Sequence, residues 1–80
     1  MKVIDCSIIN ANKAVVMVQF DDGGMGAANV QRAVSGEFFE AKAHRHNFEP
    51  DRRAATFANQ MIMEGDRIDD INTLKKKLMG

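Results

Sequence analysis

Residues 14–36 read AVVMVQFDDGGMGAANVQRAVSG, and their pattern decides the fold. Ala14 to Phe20 is rich in β-branched residues and apolar on both faces, which predicts a strand covered on both sides or lying beside a partner. Asp21-Asp22-Gly23-Gly24 follows as a turn, because glycine reaches positive φ without steric cost. Met25 to Val34 continues as a third strand, and Ser35-Gly36 reads as the hairpin connection into a fourth, Glu37 to Phe48. Upstream, Met1 to Asn10 is a first strand that ends at the turn Asn10-Ala11-Asn12-Lys13. Its alternation places Ile4, Cys6 and Ile8 on one face, with Val3 and Ile9 sharing the other with Asp5 and Ser7. In the fourth strand Phe39, Ala41 and Ala43 share a face, opposite a solvated set of Phe38, Glu40, Lys42, His44 and His46.

Beyond Phe48 the period changes. Pro50 suits the first turn of a helix, Glu49 and Asp51 favour its N-terminal end, and Ala54, Phe57, Ala58, Met61 and Ile62 recur at helical spacing until Gly65. A second helix is predicted from Asp66, with Ile68, Ile71, Leu74 and Leu78 on one side. Its acids Asp66, Asp69 and Asp70 lie at the start and Lys75, Lys76 and Lys77 at the end, as the helix dipole prefers. The order ββββαα implies one α+β domain over residues 1–80: an antiparallel meander sheet with two helices packed on one face.

The chain has 80 residues, 45% of them hydrophobic and 28% charged, a composition that folds. A domain this small buries about 60–65% of its unfolded surface, and a lone Cys6 provides no internal disulfide, so association is expected, including a homodimer through paired sheet faces. Basic and acidic residues balance at 11 each, which does not favour a global polyanion binder. The longest uninterrupted apolar run is Ala14 to Val18, short of the roughly 20 residues of a membrane span. The N-terminus carries no signal-peptide stretch, which predicts a cytoplasmic protein.

Few constellations carry chemistry. His44-x-His46 on a strand places both rings on one side with Cα atoms about 6.6 Å apart, and Glu40 shares their face. Lys42 sits between, no other histidine exists, and exposed histidines on a polar face are the better reading, so no metal is assigned. Arg45, Arg52 and Arg53 with His44 and His46 form one local basic cluster, the basis of an alternative reading as a small nucleic-acid-binding or regulatory module. Pairing of these arginines with Glu49 and Asp51 is the plainer account. Gly24-Met25-Gly26-Ala27-Ala28-Asn29 lacks the third glycine and the following helix of a dinucleotide fingerprint. Neither Ser7 nor Ser35 has an activating group placed near it, Cys6 lies mid-strand among apolar residues, and neither enzyme activity nor a cofactor is expected. Apolar side chains on both faces of the second strand (Val16, Val18 and Phe20 on one, Val15 and Met17 on the other) predict that some apolar surface stays uncovered by the helices and binds a protein partner.

In length and element order the chain resembles the small phage anti-CRISPR proteins of type I-F. Laid ungapped over residues 1–36, the shared positions are Met1, Lys2, Ile4, Gly23, Ala28, Val30, Val34 and Gly36. Phe20 retains an aromatic, and Arg67-Ile68 resembles a corresponding pair offset by two residues. The resemblance implies a four-stranded sheet with two helices that grips a backbone subunit of the CRISPR surveillance complex and keeps target DNA from pairing with the guide, without a cofactor. The family's contacts are aromatic and acidic side chains on the sheet, whose positions here are Cys6, Phe20 and Gln31. A phage or mobile-element inhibitor anchored by Phe20, acting in the host cytoplasm, is the function this implies.

Overall fold

The computed structural model describes residues 2–45, 52–65 and 67–80. Its elements are β1 (Val3–Asn10), β2 (Val15–Phe20), β3 (Met25–Arg32), β4 (Phe38–His44), α1 (Arg52–Met63) and α2 (Ile71–Met79). The strands form one antiparallel sheet in the order β1-β2-β3-β4. Helix α1 lies over β3 and β4, α2 lies over β1, and the helices touch each other. This is the ββββαα architecture that the periodicity predicts.

Turn chemistry sets the strand ends. Ala14, expected as the first residue of β2, instead closes the β1–β2 turn with φ +56. Its carbonyl accepts the Val30 N–H at 2.8 Å, so a left-handed residue is held there by the neighbouring strand. The β3–β4 connection is longer than a tight Ser35-Gly36 hairpin. The Ala33 N–H donates to the Glu37 carbonyl at 2.7 Å, leaving Val34, Ser35 and Gly36 as the loop, with Gly36 at φ +95. A connection of this length, ending in a left-handed glycine, brings a bulge with it.

That bulge reverses a predicted face. The register runs Arg32↔Phe38 and then Gln31↔Glu40, so Phe39 is an extra residue on β4. Phe38 therefore turns into the core at 4% exposure, under the Arg32 guanidinium 4.5 Å from its ring centre, and Phe39 is 54% exposed. A second irregularity, Val3↔Phe20 followed by Asp5↔Gln19, does the same in β1. Val3 packs against the core and Ile4 is exposed, opposite to strict alternation.

The second helix starts later than its acids suggest. Residues 67–70 are not helical, held by the Phe38 N–H donating to the Ile68 carbonyl at 2.8 Å and by Arg67 donating to the Ser35 carbonyl at 2.9 Å. Arg32 also donates to the Asp69 carbonyl at 2.7 Å. Only at Asp70 is the backbone released to cap a helix, its side chain accepting the Asn72 N–H at 2.7 Å. Asp66, His46, Phe48, Glu49, Pro50 and Asp51 lie outside the described residues. Lys76 and Lys77 occupy the last turn of α2 and Gly80 caps it, as the dipole argument predicts.

The core lies between the sheet and the helices. Val16, Val18, Phe20, Ala28, Val30 and Ala41 face Ala54, Ala58, Leu74 and Leu78, and among the described residues no polar or charged residue is buried. Alanines on both sides let α1 settle close to β3 and β4.

Candidate functional site

Strand register assigns every sheet residue to the helix-covered face or to the open one. Cys6 pairs with Val18, and Val16 with Ala28, on the covered side. Across the open side run the rows Asp5–Gln19–Met25, Ser7–Met17–Ala27–His44 and Asn10–Val15–Asn29–Lys42. Gln31 and Glu40 extend that face along β3 and β4.

This placement corrects the expected anchor. Phe20 is wholly buried, its ring centre 5.4 Å from that of Phe57 and 4.5 Å from the Arg53 guanidinium carbon. Cys6 is buried on the same side, where desolvation pushes its thiol up to about 11 despite nearby Lys75, so it stays protonated at neutral pH. Gln31 lies on the other face, donating to the Asn29 side chain, which in turn donates to the Lys13 carbonyl at 2.6 Å. The three predicted contact residues are therefore not brought together. Val15, Val16, Val18 and Phe20, the residues whose uncovered surface was to carry binding, are all buried. The helices hide Val16, Val18 and Phe20; Val15 and Ala27 sit on the other side and are buried as well.

What remains open is a smaller apolar centre. Ile9 and Met17 are half-buried beside Val15 and Ala27, and Met25 is 37% exposed at the end of β3. Ile9, Asn10, Lys13, Val15 and His44 enclose a hollow of about 210 Å³ on this face. Charges of both signs lie along it: Asp5 at the end near Gln19, then Lys13, Lys42 and His44, with Glu40 beyond Lys42. Alternation alone predicted Glu40, Lys42 and His44 together on a solvated side; the structure adds that this side is continuous with Met17.

The five residues of the basic cluster are divided. Arg53 turns away to the β2–β3 turn, where it pairs with the Asp22 carboxylate at 2.7 Å. Asp22 also accepts the Gly24 N–H at 2.9 Å. The hydrogen bond from Arg53, then that from Gly24, holds the Asp22 carboxyl below its ordinary value. A group depressed in this way contributes stability above its unfolded pKa and loses it as pH falls through the folded one. His44 faces the open side, and His46 lies outside the described residues. Arg45 and Arg52 do come together, in a groove between β4 and α1 that Lys42 also lines. Lys42 was not part of the predicted cluster, although it lines the same groove.

Gly24 is explained by Arg53. A Cβ on Gly24 would come 2.0 Å from Arg53 Nη2, and Gly24 has no positive φ, so the glycine is needed for the close approach of the guanidinium and not for the turn itself. Gly24→Ala is expected to displace Arg53 from Phe20 and cost the stacking contribution of about 0.5–1 kcal/mol. In an Arg53→Ala background the same substitution should be neutral. A double-mutant cycle by urea denaturation checks this, and equal costs in both backgrounds would refute it.

Among the described residues no group of three or more His, Cys, Asp or Glu is arranged to hold a metal ion. Among the described residues no helix is long and apolar enough to cross a membrane. No family model, curated protein or solved structure matches the chain.

Proposed function

We propose that this is a non-enzymatic binding protein whose working surface is the open face of its sheet. The observation that supports the reading is the sidedness of the fold: both helices lie on one face, and the other keeps a small apolar centre of half-buried Ile9 and Met17, over buried Val15 and Ala27, among polar and charged side chains. An apolar centre within a polar rim is the usual anatomy of a protein interface. Met17 and Met25 supply flexible, polarisable contacts that adapt to a partner. Gln31 keeps a role at the edge of this face, and Met17 takes the anchoring place first given to Phe20.

The resemblance in length, element order and the residues shared over 1–36 suggests what the partner is: a protein subunit of a CRISPR surveillance complex in a host cytoplasm, blocked sterically by a phage or mobile-element inhibitor. The test is titration of the purified chain against a purified type I-F surveillance complex, read by surface plasmon resonance and by loss of target DNA binding. The wild type should bind and inhibit, and Met17→Glu with Met25→Glu should weaken binding by about thirtyfold, as loss of about 2 kcal/mol at an interface centre requires. Circular dichroism should be unchanged, since both side chains lie outside the core. A wild type that does not bind removes this partner. A concentration-dependent mass in light scattering, abolished by the same substitutions, would assign the face to a second copy of the chain instead.

A further inference from the structure

A second site lies where β3 outruns β2. Strand β2 starts at Val15, opposite Asn29, whereas β3 continues to Arg32 alongside β4. The chain before Val15 turns away: the Ala14 carbonyl accepts the Val30 N–H, but the Ala14 N–H goes back to the Ala11 carbonyl at 3.4 Å. Beyond that point the β2 side of β3 is an uncovered strand edge. Val30 points its N–H towards Ala14 and Ala33 points its own across to Glu37, so alternation turns the Val30 carbonyl and both backbone groups of Arg32 to the uncovered side. Among the described residues no group bonds them from there. A groove of about 350 Å³ follows this edge, with Asn12, Lys13 and Ala14 on one bank and residues 29–32 on the other. Its polar side chains are mostly committed: Gln31 donates to Asn29, Asn29 to the Lys13 carbonyl, and Arg32 to the carbonyls of Gly36 and Asp69. The Lys13 ammonium pairs with no described acid, so it is the charge a ligand meets.

We propose that this groove takes up an extended, acidic segment of a partner protein by strand addition. Such a segment continues β2 along β3, its main chain bonding to Val30 and Arg32 and a carboxylate meeting Lys13. Unpaired backbone groups in a strand edge are a template for pairing of this kind. On β4 the outward groups of Ala41 and the Phe38 N–H are already taken by Asn59 and Ile68, whereas the overhang of β3 has no such cover. The site adjoins the open face of the sheet at Asn29 and Gln31 and does not depend on the partner proposed for that face.

The experiment uses the full chain and a fluorescein-labelled hexapeptide, Asp-Thr-Val-Thr-Val-Asp, which offers Lys13 an acid in either chain direction. Anisotropy should report binding, and hydrogen exchange at the Arg32 amide should slow as the peptide is added. Strand addition uses every second peptide N–H, so N-methylation at the valines or at the threonines, but not at both alike, should weaken binding about tenfold, as loss of one to two hydrogen bonds requires. Lys13→Glu should weaken it by at least fivefold, and Lys76→Glu on α2 should leave it unchanged. No slowing at Arg32 up to millimolar peptide, or equal loss with both methylation patterns, would overturn the proposal. So would Arg32 protection that rises with protein concentration in the absence of peptide, which would give the groove to a second copy of the chain.

Discussion

Phe20→Ala should leave this chain largely unfolded, not folded and unable to bind. Phe20 is fully buried, packs on Phe57 and lies under the Arg53 guanidinium. Truncating a buried phenylalanine costs about 3–5 kcal/mol through lost transfer energy and the cavity left behind. At about 0.05–0.15 kcal/mol per residue, the whole domain is worth only about 4–12 kcal/mol. A single substitution therefore removes a large share of the total. Urea denaturation followed by circular dichroism should show a midpoint collapsed towards zero denaturant, whereas Met17→Ala on the open face should shift it little. A Phe20→Ala variant with an unchanged midpoint and lost partner binding would restore Phe20 as a surface anchor and contradict the placement of the helices.

Asn59→Ala is the second large effect, and it acts on an edge strand. The Ala41 N–H donates to Asn59 Oδ1 at 2.8 Å, and Asn59 Nδ2 donates to the Ala41 carbonyl at 2.9 Å. One side chain on α1 thus satisfies both outward backbone groups of a β4 residue, as a neighbouring strand would. Farther along the same edge the Ile68 carbonyl accepts the Phe38 N–H. Removing Asn59 strands two partly buried backbone groups at about 1–2 kcal/mol each, for a loss of about 2–4 kcal/mol. It also uncovers a strand edge able to pair with another chain. Asn59→Asp should recover only part of the loss, because a carboxylate accepts from the Ala41 N–H but cannot donate to its carbonyl. Hydrogen exchange at the Ala41 amide and sedimentation at rising concentration measure the two consequences. An Asn59→Ala variant with wild-type stability and an unchanged Ala41 exchange rate would show that water replaces the side chain at no cost.

The two results bear on function together. An edge strand bonded to its own helix takes the edge at Ala41 out of the surfaces on which a partner can be bound. The covered face is occupied by the core, which is why the protein binding we propose is assigned to the side of Met17 and Met25.

Local patterns were enough to read the element types and their order from the chain. β-branched residues at 15–20, the Asp22–Gly23 turn and the helical spacing of Ala54, Phe57, Ala58, Met61 and Ile62 depend on interactions within a few residues, which a sequence displays directly. Which face each residue would occupy was legible only where no bulge intervenes. Val3/Ile4 and Phe38/Phe39 exchange sides because an extra residue enters the ladder, and that choice belongs to the pairing with β2 and β3. The helix start at Asp70 instead of Asp66 was equally hidden, since the non-helical run before it is held by Phe38, Ser35 and Arg32, all far away in the chain. The same holds for the surfaces: tertiary packing alone decided that Phe20 and Cys6 go under the helices, that Arg53 leaves the other arginines for Asp22, and that Lys42 joins Arg45 and Arg52. Short-range propensity is written residue by residue, whereas a side of a sheet or a shared groove exists only after distant segments have met.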